Sequence, residues 1–237
     1  MRGFAMVISV AALSATGLLA NTAQERLADA TSVISEIMRT PDKGIPEDLL
    51  AKAQCVVVIP GLKKAAFVVG GEYGRGFAEC RRPSGHGWSA PAAVRMEGGS
   101  VGFQIGGSST DIIMLVMNQH GMDKLMGDKF TLGADASLAA GPVGRTASAD
   151  TNVRMDAEIL AWSRAKGLFA GVSLKGATLR PDQERNEELY GKKMNNREII
   201  DGNVPAPPEA RALTAELDRY SRVGGSNADR VKDRDHQ

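Results

Sequence analysis

Between residues 24 and 40 apolar side chains recur at helical spacing: Leu27, Thr31, Ile34 and Met38 form one stripe, with Ala30, Val33 and Ile37 beside it. Glu25, Asp29 and Glu36 alternate with Arg26 and Arg39 on the other side. The pattern predicts an amphipathic helix that stops at the segment 40–46, where Pro41, Gly44 and Pro46 interrupt it. A short second helix over 47–53 is expected just after Pro46. A helix lying on a membrane usually has a more basic polar face, so this one is expected to pack on the domain's own sheet.

From Cys55 the period changes. The β-branched run 56–59 predicts a strand ending at Pro60 and Gly61, and a second run covers 65–69. Gly70, Gly71, Gly74 and Gly76 surround Tyr73 and Arg75 and read as turns before a strand over 77–81. Further strands are expected over 88–96, 100–107 and 111–117, with Gly98 and Gly99 marking a hairpin turn. A short surface helix over 120–127 separates them from strands over 130–132, 136–143, 159–164 and 168–174.

Throughout 130–176, glycine and other small residues alternate with short apolar runs, which implies bulges, tight turns and close backbone approach. Helices are then expected over 181–190, with proline in the first turn, and over 195–200. Past Gly202, the prolines Pro205, Pro207 and Pro208 suggest a hinge before an amphipathic helix over 209–223 and a charged tail. The fold class expected is α+β: a strongly bent antiparallel sheet or barrel-like core flanked by N- and C-terminal helices.

The chain has 237 residues, 43% of them hydrophobic, enough for one domain with additions at its ends. A formal net charge of +1 provides no bulk field to recruit nucleic acid, and 5% aromatic content is poor material for a base-stacking platform. Arg2 precedes an apolar run over 4–19 and the small residues Ala20 and Ala23, the pattern of an export signal. Cleavage is expected after Ala20, with Ala23 as the alternative, and the run falls short of the roughly 18–20 residues of a spanning helix. An exported protein, periplasmic or extracellular, is expected, with a domain over 24–202 and a hinge, helix and tail over 203–237. Cys55 and Cys80 are the two cysteines; they begin one predicted strand and end a predicted hairpin. They form either two buried thiols or a disulfide whose loop of about 25 residues would add roughly 3 kcal/mol.

Enzyme chemistry finds little support. His86, His120 and His236 are scattered without metal-ligand spacing, and no serine has the flanking glycines of a nucleophile elbow. Asp111 and Asp135, beside strands and glycine, read as carboxylates that accept turn N–H groups. The glycine clusters lack both the phosphate-loop and the dinucleotide patterns, so no cofactor is expected. What remains is a set of cations in or beside glycine-rich connections: Lys63, Lys64, Arg75, Arg145, Arg164, Lys166 and Lys175. Backbone N–H groups and such cations make a phosphate site where turns converge.

Trp88–Pro91, Gly102–Gly106 and Thr110–Asp111 together resemble the SYLF domain family. The resemblance continues through Phe130–Gly133, Ala139–Arg145, Ser163–Gly176 and Tyr190–Gly191, and covers roughly residues 45–191. It implies a lipid-binding module and no enzyme, because eukaryotic members bind phosphoinositides through basic residues and fungal members also bind actin filaments. With an export signal, actin binding is not expected to carry over, and an anionic phospholipid or phosphoinositide-like head group is the expected ligand. Lys63 and Lys64 are the first candidates to hold it. The alternative is an envelope structural or assembly protein whose helix over 209–223 and tail engage a protein partner.

Overall fold

The computed structural model describes residues 21–40, 44–66, 69–83, 87–101, 106–143, 156–165, 168–172 and 174–221. The expected export signal over 1–20 and the tail from 224 lie outside these residues. Helix α1 (Ala23–Arg39) opens with a capping box: Thr22 Oγ1 accepts from the Glu25 N–H at 3.2 Å, and Glu25 Oε2 accepts from the Thr22 N–H at 2.9 Å. Its apolar stripe, with Leu27, Val33, Ile34 and Ile37, is buried. Helix α2 (Glu47–Lys52) follows Pro46 as the sequence leads one to expect.

The sheet comprises β1 (Cys55–Ala66), β2 (Val69–Cys80), β3 (Ala92–Val101), β4 (Gly106–Val116), β5 (Phe130–Thr131), β6 (Leu138–Ala140), β7 (Ile159–Ala165), β8 (Leu168–Gly171) and β9 (Thr178–Pro181). Its order is β5-β9-β3-β2-β1-β4-β7-β6, with β8 paired to β7. All pairings are antiparallel except β6–β7. The terminal strands β5 and β6 are near neighbours in sequence, and a bridge between Leu132 and Ala136 lies between them. The result is the strongly curled open sheet expected, with helices at both ends of the chain.

Several local expectations are corrected. Pro60 and Gly61 do not end a strand; the register shifts between Ile59 and Leu62 and β1 continues, because a bulge tolerates a proline that has no N–H to donate. The glycines over 70–76 lie within β2 rather than in turns. There the bulge presses against them: a Cβ at Gly76 would lie 1.9 Å from the Val58 carbonyl oxygen, and one at Gly74 would lie 2.6 Å from Ile59 Cγ2. Gly98 and Gly99 are likewise inside β3, paired with Glu72 and Gly71, and form no hairpin turn. The expected strand over 88–96 begins at Ala92, and β9, which ends at Pro181, was not anticipated. Pro181 therefore precedes helix α4 (Gln183–Tyr190), whose N-cap is Asp182.

Strand alternation divides the core into two layers. Cys55, Val57, Ile59, Met96, Ile112 and Met114 face the inside of the curl, where Met122 and Leu125 of α3 (Gln119–Leu125) and Ile199 and Ile200 of α5 (Asn196–Asp201) help fill it. Val56, Val58, Phe77, Ile113, Leu115 and Trp162 face outward, beneath α1, α2 and α6 (Arg211–Tyr220). Helix α6 is preceded by a short 3-10 turn over Pro208–Ala210, and its Leu213 and Leu217 are buried. The C-terminal helix is thus part of the domain and not a free interaction arm. Arg81 ties this layer together. Its guanidinium stacks on Trp88 with 4.0 Å to the ring centroid and donates to the carbonyls of Leu50, Ala51, Ala53 and Ser221. Cys55 and Cys80, Cα partners across β1 and β2, are joined as a disulfide.

Candidate functional site

The polar flank of α1 does not lie flat on the sheet. Between it and the bulged part of β1–β2 runs a groove of about 680 Å³, lined among others by Arg26 and Asp29 of α1, Lys63 of β1, Arg75 of β2, Arg164 of β7 and Arg185 of α4. The bulge opens this groove, since it carries Gly61 to where its N–H donates to Asp111 Oδ1 at 2.8 Å.

Most of the cations are held by carboxylates. Arg164 Nε lies 2.6 Å from Asp111 Oδ2, and its Nη1 contacts Glu36. Burial pushes Asp111 up from its ordinary value, against the Gly61 hydrogen bond, and pushes Arg164 down. Arg75 donates to Tyr73 Oη at 2.6 Å and to Glu184 at 3.2 Å. Its Nε is also 3.1 Å from Asp182 Oδ2, an ion pair without hydrogen-bond alignment, because that oxygen has no hydrogen-bond partner. Burial works against the Arg75 charge, yet Tyr73, Asp182 and Glu184 outweigh it and raise its affinity for the proton. Arg185 pairs with Glu188.

Arg26 differs from these. Its recorded hydrogen bond runs from Nη1 to the Arg75 carbonyl at 3.4 Å, its Nε is buried without an acceptor, and it makes no ion pair among the described residues. Burial first, then the charges of Arg185 and Arg75, lower its affinity for the proton, with Asp29 opposing.

The sequence-derived cations divide into three groups. Lys63, Arg75 and Arg164 meet in the groove, with Lys63 Nζ 3.2 Å from Ser109 Oγ. Lys64 pairs with Glu72 at 3.1 Å, and Lys175 is exposed in the turn before β9. Arg145 and Lys166 lie outside the described residues. Arg26 and Arg185 were not singled out as ligands. Periodicity puts Arg26 on the polar face of a helix, and nothing in the sequence brings residue 185 next to residue 26.

Strand direction collects another set of groups at the end of the sheet where β1 passes into β2. Lys63 is paired with Tyr73, and Lys64 with Glu72. On β4 and β7, Asp111 faces Arg164, and β8, paired with β7, begins at Leu168 opposite Ala165. Strand β6 runs parallel to β7 and heads toward the same end, where Val143 follows it. Lys175, just before Thr178 and its partner Glu97, lies at this end too. The large apolar side chains that stand exposed among the described residues are Tyr73 (43%), Val143 (40%) and Leu168 (63%), so all of them belong to this rim. Asp135 fills the turn-binding role expected, its Oδ2 accepting from the Thr131 N–H at 2.6 Å, whereas Asp111 accepts from Gly61 in the β1 bulge and pairs with Arg164. Among the described residues no three His, Cys, Asp or Glu gather as a metal site.

Comparison with known proteins gives this domain its relatives. The family model described as "Ysc84: Las17-binding protein actin regulator" matches residues 97–220. SH3 domain-containing YSC84-like protein 1 is 35% identical to the chain in Xenopus laevis over 183 residues, or 76% of the chain and 54% of the relative. The Homo sapiens protein of the same name is 32% identical over 195 residues, 82% of the chain and 56% of the relative. LAS seventeen-binding protein 3 of Saccharomyces cerevisiae is 34% identical over 180 residues, 75% of the chain and 39% of the relative. The chain thus spans about half the length of the YSC84-like relatives it matches, and less of the yeast one. These descriptions overturn the expectation that actin binding should be set aside. That expectation rested on a leader segment, whereas the match, and the description of its family as an actin regulator, concern the domain itself. On these matches the chain belongs to the Ysc84, or SYLF, domain family.

Proposed function

We propose that this protein is a non-enzymatic module that binds anionic phospholipid head groups peripherally, in the cell envelope, through the rim where β1 passes into β2. The observation that carries the reading is the shared location of Tyr73, Val143 and Leu168 with Lys63, Lys64 and Lys175. Isolated exposed apolar residues are ordinary on a protein surface, but here all the large ones among the described residues gather at one end beside lysines. Such a rim combines shallow apolar insertion with electrostatic attraction of about 1 kcal/mol for each lysine near an anionic surface. Lys64 contributes less than Lys63, since Glu72 already holds it.

Co-sedimentation of the protein with neutral and anionic vesicles, at low and high salt, tests the reading. Binding is expected to anionic vesicles alone, to weaken with salt, and to be lost in a Lys63→Glu/Lys64→Glu variant and reduced in Leu168→Asp. Absence of binding to anionic vesicles at low salt, or binding that folded variants retain in full, refutes it.

A further inference from the structure

We propose that the groove between α1 and β2 is a seat for a phosphate monoester dianion, clasped by the guanidinium groups of Arg26, Arg75 and Arg185. This goes beyond the rim contact, in which Arg26 and Arg185 take no part, and it does not depend on it. Two features of the groove leave the Arg26 charge uncompensated, and one oxyanion relieves both. Arg26 lies near the N-terminus of α1, where the helix dipole opposes a cation. It faces two more arginines and makes no ion pair among the described residues, while its neighbours Arg75 and Arg185 are paired with Asp182, Glu184 and Glu188. A dianion with three terminal oxygens suits this set, because each guanidinium presents a planar fork that fits two oxygens at once. Tyr73, whose hydroxyl accepts from Arg75 Nε, keeps its own proton available to the same ligand. A carboxylate offers one charge and two oxygens to the same donors.

The ligand chemistry has two sources, a free phosphate or the exposed phosphate monoester of a lipid head group, and two assays on the full chain separate them. In the first, thermal unfolding is followed with inorganic phosphate and with sodium chloride at matched ionic strength. Phosphate is expected to raise the midpoint further with each increase in concentration, as for a ligand bound only by the folded state. In Arg26→Gln and Arg185→Gln the apparent affinity is expected to fall by about tenfold or more, the usual effect of losing a charge-assisted hydrogen bond. Without phosphate, Arg26→Gln is expected to melt no lower than the parent, since it removes a cation that has no ion partner among the described residues; a purely structural arginine would lower the midpoint.

In the second assay, co-sedimentation compares vesicles carrying phosphatidic acid with vesicles of equal charge carrying phosphatidylglycerol. A preference for phosphatidic acid that Arg26→Gln abolishes, with or without a response to inorganic phosphate, assigns the seat to a lipid phosphate. A response to inorganic phosphate alone assigns it to a soluble one. The proposal is overturned if neither response is found, or if Arg26→Gln and Arg185→Gln keep both. Salt-sensitive binding to phosphatidylglycerol reports the rim, so failure of the seat and failure of the rim remain distinct.

Discussion

Glu79 is an ionisable group placed where a charge is poorly tolerated: on β2, beneath α6, with 1% of its surface exposed. Its Oε2 lies 2.9 Å from Thr214 Oγ1, and its Oε1 is buried without a partner. Thr214 Oγ1 is also 3.2 Å from the Ala210 carbonyl, one helical turn back. A hydroxyl has one proton to give, so both contacts are satisfied together when the carboxyl carries a proton of its own. Burial is the main force here. It pushes the Glu79 carboxyl from 4.5 up to about 8, helped by the Asp218 charge and opposed by the Thr214 hydrogen bond and Arg82.

The folded state therefore holds a proton that the unfolded chain releases above its ordinary value. Stability from this site is fully present below about pH 4.5 and declines as pH rises toward 8, at about 1.4 kcal/mol per pH unit and roughly 5 kcal/mol in total. Over the two units from pH 5.5 to 7.5 the loss is roughly 2.5–3 kcal/mol. Glu79→Gln keeps the shape and cannot ionise, so its profile should lack this decline. The assay is urea unfolding at pH 5.5, 6.5 and 7.5, followed by the fluorescence of the buried Trp88 and Trp162, with the variant's free energy subtracted from the parent's at each pH. Profiles that run parallel would show that Glu79 is ionised in the fold, and would refute the burial argument.

Other positions make separate predictions. A Cys55→Ser/Cys80→Ser variant should lose roughly 3 kcal/mol of stability, from a cross-link 25 residues apart, and a reductant should lower the urea midpoint of the parent but not of the variant. Gly141→Ala should cost about 2–3 kcal/mol and change the near-ultraviolet circular dichroism, because the added Cβ would lie 2.0 Å from Cε2 of Trp162, a fully buried ring. An unchanged spectrum and melting point would contradict that packing. Glu158 is held down to about 2, chiefly by the Ser137 N–H and then by His120 and Asn118, with partial burial opposing. Its contribution is present above about pH 4.5 and lost as pH falls toward 2. Glu158→Gln should therefore be less stable at neutral pH and show a flatter acid profile, and an unaltered acid transition would count against the assignment.

Much of this architecture is legible in the chain because short-range physics specifies it. The stripe from Leu27 to Ile37 becomes the buried face of α1, since helical periodicity alone decides which side chains share a face. Alternation along 55–59 likewise sends Cys55, Val57 and Ile59 inward and Val56 and Val58 outward. Glycine misleads where its reason is tertiary. Gly74 and Gly76 resemble turn residues, but they lie inside a strand because the bulge of the neighbouring strand presses on them. No local signal distinguishes room needed for a turn from room needed for an approaching backbone.

The same division holds for the site. Composition and local pattern pick out Lys63, Arg75 and Arg164 as cations beside glycine, and motif resemblance points to the family to which the chain belongs. The sequence by itself thus determined most of the elements, the curled α+β class and the kind of chemistry available. Only the tertiary structure decided which charges are already neutralised, as Arg164 is by Asp111 and Lys64 by Glu72, and which lack an ion partner, as Arg26 does among the described residues. It also brought Tyr73, Val143 and Leu168 to one rim. Ion pairing and exposure depend on distances between residues far apart in the chain, and those distances exist only once the sheet has curled and α1 has docked on it.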